Sequence, residues 1–231
     1  LETDAKEFVN YSLDLIGLHR SEMPKTEALG LFEYMSENVD GAMTKYFNVL
    51  FGILTEMIDE TPGPFLQELQ TIDKLKSFTR ENWIDVSMLL LSDVCYLVSS
   101  REDLIQQLKG FVLGRMNKLL SFSSPLLAAR TLLFFSQYTE FIMNTYQDQS
   151  YMKQLIGHIA SCMTNENVPE VVSATAVECV NIIFKEDLVS NSKLLESILS
   201  EQIADLVKGV LNSMRQNDND AFFPTLETIF Q

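Results

Sequence analysis

The stretch Ser124-Pro125-Leu126-Leu127-Ala128-Ala129-Arg130-Thr131-Leu132-Leu133-Phe134-Phe135-Ser136-Gln137-Tyr138-Thr139-Glu140-Phe141-Ile142 restricts the folds open to this chain more than any other. Ser124 suits an N-cap, and Pro125 suits the first helical position, where its missing N–H costs nothing. The helix that follows gathers its polar residues, Arg130, Gln137, Glu140 and Asn144, into one narrow arc. Almost everything else around it is apolar, which is more surface than one partner helix covers. Such a helix must be packed from several sides at once, the condition inside a stack of helical repeats.

Composition points to a wholly helical chain. Only nine Gly and six Pro occur in 231 residues, and the prolines stand at segment ends. No Asn-Gly or Asp-Gly hairpin signal separates alternating strands, since Asp40-Gly41 lies between two helical patterns. Hydrophobic residues make up 46% of the chain, ample for a core. Thirty-two acidic residues against seventeen basic ones give a net charge of −15. A field of that sign repels nucleic acid and anionic membranes and attracts basic partners; the alternative is that it serves solubility alone. The longest apolar run, near residues 88–91, is far short of the ~20 residues of a membrane span, and no signal peptide is visible. Cys95, Cys162 and Cys179 lie in helical patterns without a Cys-x-x-Cys pair and read as buried thiols of a reducing compartment. Cytoplasm and nucleus are the expected locations.

Periodicity predicts helices over residues 4–18, 24–39, 42–60, 82–100, 101–122, 125–144, 148–163, 169–185, 193–216 with a break near Ser200, and 221–231. Thr61-Pro62-Gly63-Pro64 makes a hard turn, and residues 61–81 read as an insertion between helices. Sliding the chain by 44 residues superposes 82–100, 126–144 and 170–188. Ser87, Thr131 and Thr175 then coincide, as do Leu89, Leu133 and Val177, and Val94, Tyr138 and Ile182. Pro125 meets Pro169, and the polar residues Asp93, Gln137 and Asn181 fall together. Two helices in a period of about 44 residues match a HEAT or armadillo unit. The expected fold is all-α: an α-solenoid of antiparallel helix pairs, a segment of a right-handed superhelix. Residues 1–231 then form a single run of four to five repeats.

Signals of catalysis are weak. The two histidines, His19 and His158, belong to different hairpins, and no nucleophile–base constellation follows from the spacing. Phosphate-loop, dinucleotide, zinc-protease and EF-hand patterns are absent. Glu33 and Glu37 make one i,i+4 carboxylate pair that suits a solvated face better than acid–base work. No catalytic residue, metal or cofactor is expected, and the chain reads as a non-enzyme. In a stack, equivalent helices line one face, so the candidate recognition residues form a ladder of Asp93, Gln137 and Asn181. Asp85, Tyr96, Glu140 and Glu170 flank it, with Arg130 as a basic intruder and Leu89, Leu133 and Val177 as an adjacent apolar strip. The mixture suits a basic or extended polypeptide. Alternatively, these residues solvate the outer side or hydrogen-bond between neighbouring repeats.

Several segments resemble one family. Asn82-Trp83-Ile84-Asp85-Val86-Ser87-Met88-Leu89-Leu90-Leu91-Ser92-Asp93-Val94 is similar to a Trp-led helix in the middle of importin-β superfamily transport receptors. Ser124-Pro125-Leu126-Leu127-Ala128-Ala129-Arg130 and the Val168-Pro169-led helix up to Val177 resemble later helices of those receptors, in the same order. Asp4-Ala5-Lys6-Glu7-Phe8 resembles an earlier element. The nearest branch is the large importins, of importin-nine or importin-seven type. The usual Val-Arg signature of HEAT repeats is matched only approximately, at Arg130. The resemblance implies a middle segment of a longer receptor that carries basic protein cargo, for example histones or ribosomal proteins, between cytoplasm and nucleus. It also implies release by Ran-GTP through the full-length receptor, nucleoporins as further partners, and no catalytic residues. The runner-up is another HEAT-repeat scaffold or adaptor of a multiprotein complex, although the regular 39-residue spacing of a phosphatase scaffold is not seen. A helical enzyme with a dispersed site would require a deep pocket with convergent polar groups.

Overall fold

The computed structural model describes residues 42–61, 63–64, 67, 79–93, 101–145, 149–184, 193–217 and 223–230. Among them are eight α-helices and no strand: α1 (Ala42–Asp59), α2 (Arg80–Asp93), α3 (Glu102–Leu120), α4 (Pro125–Thr145), α5 (Gln149–Thr164), α6 (Glu170–Ile183), α7 (Lys193–Asn217) and α8 (Phe223–Phe230). The fold is all-α. The helices expected over 4–18 and 24–39 lie outside the described residues. The chain divides into two compact units, Leu1–Val94 and Cys95–Gln231.

In the first unit α1 packs along α2. Phe47, Leu50, Leu54 and Ile58, with Met57 beside Ile58, recur at three- and four-residue intervals and are buried, which makes one helix face apolar. At the end of α1, Glu60 takes a left-handed φ of 57°, and the Thr61 N–H donates to the Glu56 carbonyl at 3.2 Å. This is a Schellman closure with Glu where Gly is usual. Arg80 completes it from α2: Nε donates to the Met57 carbonyl at 2.7 Å, and Nη2 pairs with Glu60 Oε1 at 3.1 Å.

Helix α2 begins two residues before its expected start. The Asn82 N–H donates to Thr79 Oγ1 at 3.3 Å, and the Thr79 N–H donates to Asn82 Oδ1 at 3.0 Å. This reciprocal capping box satisfies two orphan donors at once, with Asn in the place usually held by Glu or Gln. Arg80 and Glu81 therefore belong to a helix and not to the insertion expected over 61–81; residues 68–78 lie outside the described residues.

In the second unit the helices pack as two layers. One holds α4, α6 and α8, with α4 against α6 and α6 against α8; the other includes α5 against α7. Across the layers, α3 meets α4, α5 meets α6, and α7 meets α8. These are hairpins joined by short connections, stacked so that each contacts the next, as in helical repeats. In the second layer, Lys153 near the start of α5 pairs with Glu201 at 2.9 Å. Asn212 donates to the carbonyl of Met163 near the end of α5, at 3.1 Å. Both contacts together show that α5 and α7 run in the same direction. Gln154 of α5 also hydrogen-bonds Asn117 of α3.

Helix α4 begins at Pro125 as expected, with the Ala128 N–H donating to the Ser124 carbonyl at 2.9 Å. Leu127, Ala129, Thr131, Leu132, Phe134, Phe135, Ser136, Tyr138 and Thr139 are all buried. Phe134 and Tyr138 have ring centroids 5.0 Å apart, and Phe135 meets Tyr151 of α5 edge-on at 6.3 Å. The Tyr151 hydroxyl donates to the Phe135 carbonyl at 3.2 Å, so its one buried polar atom is satisfied. Each of these rings stabilises the unit by roughly 1.5–3 kcal/mol through burial.

Helix α7 is continuous over 25 residues, without the break expected near Ser200. The Ser200 hydroxyl donates to the Ser197 carbonyl at 2.8 Å, a bond that keeps its polar atom within the helix. Gly209 has a separate reason to be there. A Cβ at this position would lie 2.7 Å from Met163 Cβ, so the close approach of α5 and α7 excludes one. Gly114 in α3 is the contrast, with open space where a Cβ would be.

Gly114→Ala is expected to stabilise the protein by about 1 kcal/mol through helix propensity. At Gly209 the same gain is cancelled by overpacking of roughly 1–3 kcal/mol, and Gly209→Val is destabilising. Urea unfolding of the variants checks this. Equal gains for alanine at both positions would mean that α5 and α7 do not approach so closely.

Candidate protein-recognition face

Among the described side chains, the surface left by α4 beyond its first residue is a narrow strip. Leu126 is 52% exposed, and Arg130, Leu133 and Gln137 are half-buried, at spacings of four, three and four residues that place them on one line. On α6 the corresponding strip is wider: Glu170, Val171, Glu178 and Asn181 are exposed, with Ala174 and Thr175 half-buried between them. Since α4 packs along α6, the two strips adjoin within one layer.

Two rungs of the expected ladder fall in this unit. The Asn181 side-chain amide donates to Thr225 Oγ1 of α8 at 2.9 Å, across a separation of 44 residues. This rung ties the end of α6 to the start of α8 and so joins neighbouring hairpins. Gln137 is half-buried, and its Oε1 is shielded from solvent with no hydrogen-bond partner among the described residues. Glu170 stands exposed in the first turn of α6, where a carboxylate also complements the helix dipole.

The other candidates fare differently. Asp85 is half-buried in α2 of the first unit. Asp93 and Glu140 stand in α2 and α4 with side chains outside the described set, and Tyr96 lies outside the described residues. Val177 is 1% exposed, so it contributes to the core and not to an apolar surface strip. The reason is that α6 is covered by α4, α5, α7 and α8 at once. Glu178 was not foreseen: its counterpart 44 residues earlier is the buried Phe134, so the repeat register hid it. The signal that finds it is local, three residues before Asn181 on the same helix face.

Buried titratable groups lie elsewhere in the unit. Burial pushes the Cys162 thiol up to about 11 and the Cys179 thiol to about 12, so neither is a thiolate at neutral pH. Cys95 lies outside the described residues. Partial burial holds His158 of α5 below the usual imidazole range. Among the described residues no three His, Cys, Asp or Glu side chains come together as metal ligands, and no helix is long and apolar enough to cross a membrane.

Comparisons with protein families, with characterised proteins and with solved structures find no match to this chain. The face itself offers the carboxylates of Glu170 and Glu178, the amides of Gln137 and Asn181, the guanidinium of Arg130 and aliphatic contacts on a packed pair of helices.

Removing either partner of the Asn181–Thr225 bond is expected to cost about 0.5–1.5 kcal/mol, with the two losses coupled. A double-mutant cycle of Asn181→Ala and Thr225→Ala by chemical unfolding reads the coupling. Strict additivity would remove Asn181 from the contact between hairpins.

Proposed function

We propose that this chain is a non-enzymatic protein-recognition segment of an α-solenoid and that the face of α4 and α6 engages basic polypeptide. The observation that carries this reading is the exposed pair Glu170 and Glu178. Neither enters an ion pair among the described residues, on a chain of net charge −15. Carboxylates held on a rigid helix keep their charge available to a partner and lose little side-chain freedom on binding.

The narrower reading is a middle segment of a nuclear transport receptor of the importin-β superfamily, in the cytoplasm and nucleus. It carries basic cargo such as histones or ribosomal proteins under the control of Ran-GTP. Its support is the ordered resemblance of the Trp83, Pro125 and Pro169 helices to that family. Stacked hairpins, with α4 and α6 starting 45 residues apart at Pro125 and Glu170, agree with a HEAT-type repeat.

Charge reversal at Glu170 and Glu178 together is expected to weaken binding of a lysine-rich histone-tail peptide by about tenfold, since each rim charge contributes up to ~1 kcal/mol. Fluorescence anisotropy at physiological salt measures it, and an unchanged affinity removes this face from cargo binding. For the transport reading, Ran-GTP added to the full-length protein is expected to release bound histone. If the peptide binds but Ran-GTP does not, protein recognition stands and the receptor assignment falls.

A further inference from the structure

A groove of about 430 Å³ lies between the end of α5 and one face of α7. It is within the range of ligand clefts, ~300–1,000 Å³. Val207, Lys208, Leu211, Asn212 and Arg215 line it from α7, and Glu166 from the turn after α5. Their spacing of one, three, one and three residues along α7 is that of a single helix face. Asn212 donates to the Met163 carbonyl at 3.1 Å, which fixes the wall between the two helices. Leu211 is 46% exposed at the middle of the groove, a large aliphatic side chain with half its surface in water.

The charges say what fits. Lys208 and Arg215 are exposed, and neither forms an ion pair among the described residues. They are two of only seventeen basic residues in a chain with thirty-two acidic ones. Seven residues of helix separate them, about 10 Å along the axis, with Leu211 between. Glu166 on the opposite bank gives the groove one negative edge.

The geometry points to docking of a short amphipathic helix carrying two carboxylates seven residues apart, with a leucine or isoleucine between them. The carboxylates pair with Lys208 and Arg215, the aliphatic side chain covers Leu211 and Val207, and Glu166 selects against acidic residues along the far edge. This is helix-in-groove recognition in which charge fixes the register. The net charge of the chain does not forbid it, because at physiological salt fields are screened beyond ~8 Å while contact pairs persist. A polyanion such as nucleic acid is disfavoured, since the groove joins only two cations to an acidic edge. This face is on the α5–α7 layer and is independent of the basic-cargo reading of α4 and α6.

The test uses the full chain and a labelled 16-residue helical peptide with Glu at positions i and i+7 and Leu at i+3 and i+4. Anisotropy is expected to give saturable binding, at least tenfold weaker for Lys208→Glu/Arg215→Glu and unchanged for Lys118→Glu on α3. A peptide with Lys in place of both Glu should bind the doubly reversed protein better than it binds wild type. Should the reversed protein fail to fold by circular dichroism, Lys208→Gln/Arg215→Gln takes its place, with a loss of at least threefold. Equal binding of a scrambled peptide, binding insensitive to these variants, or no saturable binding would overturn the proposal. So would tighter binding of a single-stranded oligonucleotide at the groove, or a dimer of this chain that the same variants abolish.

Discussion

The second unit depends on one constraint: α4 has too much apolar surface for a single partner. Phe134, Phe135, Tyr138 and Leu132 have no exposed surface, and Thr131 and Thr139 are equally enclosed. Covering all of them takes α3, α6 and the Tyr151 ring of α5 together. Once α6 lies along α4, its own opposite sides need α5, α7 and α8, and the same requirement passes down the stack. The layered arrangement is therefore a consequence of helices that are apolar on several sides, joined by connections too short to let hairpins separate.

Much of this was legible because helix periodicity and punctuation agree. Pro125 marked the start of α4, and the helices α3, α5 and α6 begin or end within about two residues of where apolar spacing and turn residues put them. What stayed hidden is tertiary. The start of α2 depends on a Thr79–Asn82 cap that uses Asn where the familiar signal has Glu. Ser200 looked like a helix break, but its hydroxyl bonds back to Ser197 and α7 runs on. Gly209 is unremarkable in sequence and is explained only by Met163 on another helix.

The site was readable to a lesser degree for a related reason. A repeat register predicts which helix faces correspond, but not how many neighbours each one acquires. Gln137 and Asn181 both lie on the predicted face, yet Asn181 is tied to Thr225. Val177, aligned with the half-exposed Leu133, is enclosed because α6 has more covered sides. Glu178 emerges on the surface where the register pointed to a phenylalanine. The result is a unit with two chemically different faces. Glu170 and Glu178 stand on the α6 side of one, beside Arg130 and Gln137 of α4, and Lys208 and Arg215 flank an aliphatic groove on the α5–α7 side.

Helix α4 owes its stability to the hairpins stacked on it and not to its own helix propensity. Amide hydrogen exchange of α4, compared between the full chain and a chain ending at residue 165, tests it most directly. The truncation removes α6, the helix that packs most extensively on α4, and leaves α4 covalently intact. Protection of the α4 amides is expected to fall by on the order of a hundredfold or more, as local stability follows the loss of the neighbouring repeat. Protection unchanged by the truncation would contradict the account.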